Sequence, residues 1–469
     1  MKRDAIFVGV RYKMRGYIPS CSPKSEAISA ILKWPLLVLA FSQPLAAADL
    51  LQTYRNARSN DAVYASARAA LEAGKEKLPQ GLALLLPAVS GTANTTYNDN
   101  QVLFRNATPG PFMRKFNNNG WTVTLSQPLV RMQNWEQYRQ AEFQVAQAEA
   151  SFGQTGQDLI VRVAQAYFDV LASQDSLDFI QAQKTAISEQ LAQAKRNFEV
   201  GTATITDTHE AQARFDLATS QEIAAQNDLE FKKRVVQQLI GKFPDAFVPL
   251  KTSALLNPPQ PNAMEPWVDS AEKQNFAVRI QEAGVEIATR EVRRNKAGHL
   301  PTLDLVGTYG ETGASSNILT GTGSDTRGAT VGLQLTLPLY AGGGATSRVR
   351  EAVANLEKAR QDLENARRTA ALLSRQSYLG VTNGMAQVRA LEQALVSSQS
   401  ALDSNKLGYE VGVRINIDVL NAQQQLFSTK RDLSRARYDT VLNGLRLKAA
   451  SGTLSEEDLE TVNRLLGAD

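Results

Sequence analysis

Few residues in this chain are of types that could do chemistry, and their spacing points away from catalysis. His209 lies in Asp207-Thr208-His209-Glu210, a start on a metal site. A second ligand on the same helix face would stand four residues further on, where the chain has Ala213. His299 is the other histidine and lies far along the chain. Gly342, Gly343 and Gly344 open a helical stretch after a strand end without the Lys-Ser/Thr of a phosphate loop, and read as a flexible junction. The single cysteine, Cys21, precedes an apolar run, so a chain trimmed after that run has no thiol for a disulfide or a metal. Acidic residues are frequent but mixed with Lys and Arg, as on a solvated helix face. The sequence therefore reads as non-enzymatic, with no catalytic residue, metal or cofactor.

Charge excludes a further class. The formal net charge is +4, from 51 Lys/Arg and 47 Asp/Glu. Seven of those bases and two of those acids lie in residues 1–48, which leaves 44 against 45 in the rest. The body is neutral and no nucleic-acid partner is expected. Residues 1–48 read as an export leader: a basic stretch, the apolar run Ile31-Leu32 and Trp34 to Phe41, then Ala46-Ala47-Ala48 before Asp49. No later segment approaches ~18 consecutive apolar residues, so entry into a membrane would have to be by strands.

The elements that must position any site come from a duplication. Leu125-Ser-Gln-Pro128-Leu129 recurs as Leu335-Thr-Leu-Pro338-Leu339, and Ala166-Tyr167 recurs as Ser377-Tyr378. Phe198-Glu-Val-Gly201-Thr-Ala-Thr-Ile205-Thr-Asp207 recurs as Tyr409-Glu-Val-Gly412-Val-Arg-Ile-Asn416-Ile-Asp418; the three offsets are 210, 211 and 211. The reading divides the chain into residues 49–243, a first repeat; 244–266, a Pro-rich connector; 267–452, a second repeat; and 453–469, a C-terminal segment. Each half reads as helix, two strands, a very long helix, a glycine turn and a second helix. Pro87, Pro128, Pro301 and Pro338 mark the changes between helix and strand.

Four segments alternate with a period of two: Val89 to Tyr97, Trp121 to Leu125, Leu303 to Tyr309 and Ala329 to Leu337. Their polar faces carry Thr, Ser, Asn and Gln, as a lumen lining would, and Tyr97, Trp121 and Tyr309 stand where interfacial aromatics belong. An ordinary antiparallel sheet with one wet side would show the same period. Strands of about 9–10 residues fit a membrane wall. Bacterial barrels begin at about eight strands, so four would need edges from identical subunits. From about Gln133 to Phe198 a heptad seam begins at Val145 and Glu149; twelve of its sixteen positions are apolar, the sign of left-handed coiled-coil packing. A similar stretch runs from about Arg348 to Lys406. A periplasmic coiled-coil structural or adaptor protein without a pore is the competing reading, and the four alternating segments plus the leader argue against it.

The duplicated turns, with Phe198-Glu-Val-Gly201 and Tyr409-Glu-Val-Gly412 at matching places, resemble those of the TolC family of outer-membrane efflux and secretion ducts. That resemblance implies an α+β membrane protein: a homotrimer with a 12-stranded β-barrel, four strands per chain, in outer-membrane lipid, and a long coiled-coil α-helical barrel in the periplasm. It also implies a periplasmic adaptor (membrane fusion) protein, an inner-membrane ABC or proton-driven transporter, and export of proteins or small molecules. Tyr409 and Arg414 match residues that hold the tip closed through Thr206 and Asp207. Asp418 matches an acidic constriction ring, and Asn421 departs from a second acidic position, which implies weaker cation selectivity. Val200, Gly201, Thr202, Val411, Gly412 and Val413 match the tips that an adaptor contacts. From the residues alone, Gly201 and Gly412 end helices in a left-handed conformation, and Asp207 and Asp418 lie near the start of the next.

Overall fold

The computed structural model describes residues 49–103, 105, 111–243, 246–251 and 257–467; the expected leader, residues 1–48, lies outside them. Helices α1 (Leu50–Asn60), α2 (Ala62–Lys75) and α3 (Lys77–Ala83) lead into strands β1 (Ala88–Val102) and β2 (Phe112–Val130). Helices α4 (Met132–Glu199) and α5 (Ile205–Ile240) follow. The second half repeats the plan with α6 (Glu265–Gln274), α7 (Phe276–Ala297), β3 (Thr302–Ala314), β4 (Ser324–Thr336), α8 (Gly344–Glu410) and α9 (Asn416–Ala450), before α10 (Glu456–Asn463). Among the described residues no helix is long and apolar enough to cross a membrane.

The four strands form one antiparallel sheet in the order β1-β2-β3-β4. Its register brings like with like. Val89 faces Leu125, Leu125 faces Gly307 and Gly307 faces Val331, while Ser90, Thr124, Thr308 and Thr330 line up on the other face. The Thr308 and Thr330 hydroxyls share a hydrogen bond, and the rings of Trp121 and Tyr309 meet edge to face at 5.6 Å. The apolar face is uncovered: Val331 is 79% exposed and Leu335 68%. Each strand is longer than the expected 9–10 residues, with 15, 19, 13 and 13. The apolar pattern stops near Tyr97, but ladder hydrogen bonds join backbones and do not require it. Polar pairs continue beyond it toward the hairpin ends, with Asp99 opposite Lys115 and Glu311 opposite Arg327, each closed as an ion pair.

The two joints between sheet and helix differ. Pro87 and Pro301 immediately precede β1 and β3, while Pro128 lies inside β2 at a bulge two residues before its end. There Arg131, at the start of α4, meets the buried Asp304 of β3 at 2.6 Å. Asn134 and Gln127 donate to the carbonyls of Leu84 and Leu85 just after α3. The matching joint after β4 is exposed throughout and turns through Gly342 and Gly343, at φ +60° and +79°.

Helices α4 and α8 are 68 and 67 residues long, α5 and α9 36 and 35. The heptad seam of α4 is buried at Leu159, Val163, Ala166, Val170, Leu177, Ile187, Leu191 and Ala194. At mid-height the helix also buries Ile160, Tyr167, Phe168 and Leu171, because α1 and α10 add a second layer there. Asp61 fastens that layer. Its carboxylate accepts the Tyr64 amide at the start of α2 and two hydrogen bonds from Arg162 of α4. Burial opposes its ionisation, but Arg162 and the backbone amides outweigh it and hold the carboxyl below its usual value. A depressed carboxyl adds stability above its unfolded pKa of ~3.9, and that contribution disappears as pH falls through the folded value. Asp61→Asn should therefore cost about 1 kcal/mol at pH 7, and the difference should shrink as pH falls from the unfolded value of ~3.9 through the lower folded one. Thermal melts in detergent across that fall in pH measure it; a loss that does not change with pH would remove the ion pair from this account.

Candidate functional site

The hairpin α4–α5 turns through Gly201 at φ +74°, and α8–α9 through Gly412 at φ +78°. In the first turn the amides of Thr202 and Ala203 both reach the Asn197 carbonyl, at 2.8 and 3.2 Å. In the second, Val413 and Arg414 reach the Gly408 carbonyl at 2.8 and 3.0 Å. Open space surrounds the missing Cβ of both Gly201 and Gly412, so the left-handed backbone alone demands glycine. Gly408 is there for another reason: a Cβ on it would stand 2.7 Å from Arg414 Cγ.

After the glycines the repeats diverge. Thr204 caps α5, accepting the Asp207 amide at 3.3 Å, while its own amide and hydroxyl donate to the Asp207 carboxylate at 2.9 and 2.8 Å. At the matching place in the second half stands Ile415, which makes no capping hydrogen bond among the described residues. Asp418 is thereby free of the role that occupies Asp207. It lies 3.7 Å from Arg414, which stands in the turn just before α9, with the two side chains 34% and 59% exposed.

The hairpins meet side by side. Ile187 and Leu191 of α4, Ala211 and Ala218 of α5 and Leu420 of α9 share a buried cluster. Around it run polar ties that sequence reading did not foresee. Asn197 donates to the Tyr409 hydroxyl at 3.2 Å, and the Tyr409 ring packs on Leu402, Val419 and Leu426. Arg214 donates to the side-chain oxygens of Asn421, at 3.0 Å, and Gln424, at 2.7 Å. Gln190 donates to Asn416 Oδ1 at 2.5 Å, and Asn416 Nδ2 donates to the Asp207 carbonyl at 3.4 Å. The expected contacts of Tyr409 and Arg414 with Thr206 and Asp207 are not made within one chain, among the described residues. The cap holds the Asp207 carboxylate, Thr206 is exposed, and Tyr409 and Arg414 turn to Asn197 and Asp418. Asn421, where a second acid was the resemblance's pattern, is taken up by Arg214. Val200, Gly201, Thr202, Val411, Gly412 and Val413 are all exposed, the valines at 73%, 65% and 79%. His209 is exposed, and among the described residues no three His, Cys, Asp or Glu side chains gather as metal ligands.

A sheet with an uncovered apolar face, joined end to end with four long helices that finish in paired tips, defines a class: the outer-membrane channel that reaches into the periplasm. Residues 53–242 and 267–453 match the family described as Outer membrane efflux protein, and the chain belongs to that family. It is 33% identical over 434 residues to outer membrane protein TolC of Vibrio cholerae, covering 92% of this chain and 97% of that one. The alkaline protease secretion protein AprF of Pseudomonas aeruginosa is 32% identical over 421 residues, covering 89% and 87%. Among solved structures, the channel VceC of Vibrio cholerae superposes with a TM-score of 0.72 at 17% identity, over 86% of this chain and 96% of that one. The protein is thus an outer-membrane channel of the secretion and efflux class, a duplicated α+β chain with a periplasmic extension, and its family is one of transport channels.

The diverged caps predict opposite responses. Thr204→Ala should speed amide hydrogen exchange in the first turn of α5, for a loss of about 1 kcal/mol. Ile415→Thr should build the missing box with Asp418 and slow exchange in the first turn of α9. Unchanged exchange in Thr204→Ala would contradict the capping assignment.

Proposed function

We propose that three copies of this chain form one continuous duct, closed at the hairpin tips until a partner opens it. The observation that carries this reading is the four-stranded sheet with β1 and β4 at its edges. In hydrocarbon each unpaired backbone group costs several kcal/mol, so β4 of one copy pairs with β1 of the next. Two copies would give eight strands, a barrel whose interior side chains fill, whereas three give twelve and leave a lumen. Gel mobility and mass in detergent test this: a heat-modifiable trimer is expected, and a monomer would sink it.

In this reading Tyr409, Arg414, Thr206 and Asp207 hold the tip, with contacts that form between neighbouring copies. Exposed pairs contribute only about 0–1 kcal/mol each, so a docked partner undoes several without unfolding any helix. The exposed Val200, Gly201, Thr202, Val411, Gly412 and Val413 receive a periplasmic adaptor protein, which links the duct to an inner-membrane transporter driven by ATP or protons. Asp418 lines the constriction, and the neutral Asn421 leaves it a single acidic ring. Cargo is protein, small molecules or both; the likeness to a protease secretion protein and to TolC favours a shared role. A knockout assayed for lost exoproteins and for drug sensitivity separates the two.

Arg414→Ser and Tyr409→Phe should each raise single-channel conductance in planar bilayers, and unchanged conductance in both would remove the gate assignment. Asp418→Ala should lower cation preference; an unmoved reversal potential would take that residue away from the constriction.

A further inference from the structure

We propose that Asn416 is the positioning residue that latches the α8–α9 hairpin to the α4–α5 hairpin, acting through Gln190 and the Asp207 carbonyl. This rests on the gate reading above and names a tie within it. The repeat exposes the residue. Asn416 stands where the first half has Ile205, yet Ile205 is 47% exposed and Asn416 is completely buried. A polar residue has thus been placed at the drier of two equivalent positions.

Its amide is used at both ends, and by two different helices. Gln190 of α4 donates to its oxygen, and its nitrogen donates to the first turn of α5. One side chain at the start of α9 therefore ties three helices. It does not cap its own helix, whose N-cap, Ile415, makes no capping bond among the described residues. The adjoining cluster is apolar: Ile187 and Leu191, on the helix that carries Gln190, pack with Leu420 and Ile417, which follow Asn416 along α9. A buried amide that loses its partner there is left without water, so the tie holds register more firmly than an apolar contact of the same size. Being neutral, it is not screened by salt, unlike the exposed Arg414–Asp418 pair. Arg214, bonded to Asn421 and Gln424 further along α9, fixes the same register.

Of the two bonds, the one reaching the backbone of Asp207 is the longer, at 3.4 Å against 2.5 Å. Opening must break it, since α9 cannot move from α4 and α5 while the amide bridges them.

The test is single-channel recording from the assembled oligomer, with Arg414→Ser as reference. Asn416→Ile strands the Gln190 amide and should shift the closed-to-open ratio about tenfold toward open. Gln190→Leu with Asn416→Ile should recover part of that closure, because neither amide is then left unpaired. Asn416→Asp keeps the shape and gives a readout that packing alone would not move. Its carboxylate repels the Asp207 carbonyl when ionised and donates to it when protonated, so its open fraction should rise with pH relative to the unsubstituted channel. If Arg414→Ser opens the channel while Asn416→Ile and Asn416→Asp match the unsubstituted protein at every pH, the latch is overturned and the gate stands. If none of the three opens it, both readings fall.

Discussion

A lipid bilayer offers no water to an unpaired amide or carbonyl, and this chain brings four strands with two open edges. Almost everything else follows from that shortage. The apolar side chains of β4 are exposed along its length because lipid covers one face and the next copy meets its edge. The polar face carries small hydroxyls and amides that pair across strands, as Thr308 and Thr330 do, and leave room for a lumen. The duplication supplies two hairpins per chain, so one copying event provided both the barrel strands and the two coiled coils that continue them.

Fastening is distributed unevenly along the molecule. At mid-height α1 and α10 thicken the wall, and Asp61 with Arg162 binds α2 to α4. A half-buried carboxylate, Asp175 of α4, takes hydrogen bonds from Ser434 and Tyr438 of α9, and desolvation pushes its pKa upward. Toward the tips the core thins to a few residues per turn, and single polar ties replace layers. Stability is therefore concentrated away from the hairpin tips.

The parts legible in the sequence were those with a period. Repeat offsets, alternating strands and the α4 heptads each sum many weak signals over many residues, and the structure follows all three. Strand length was underestimated because ladder bonds are indifferent to side chains, so polar residues from Asn98 onward extend β1 without altering its pattern. The glycine turns were legible because a left-handed residue leaves a mark in composition. The ties among Gln190, Asn416, Arg214 and Asn197 were not, since which helix faces meet depends on supercoiling that one strand of sequence does not record. Only the exchange of Ile205 for Asn416 between the repeats hinted at one of them.

The joint at Arg131 and Asp304 has a mechanical consequence. Helices of this length reach roughly 100 Å, and a rod so long turns each degree of tilt at its root into roughly 1.8 Å at its far end. Hydrogen bonds tolerate only about half an ångström of spread, 2.7–3.2 Å. Alignment at the far end therefore demands angular stiffness at the root. α4 obtains it from an ion pair and two amide bonds, whereas α8, starting from two left-handed glycines, must take its aim from the helices beside it.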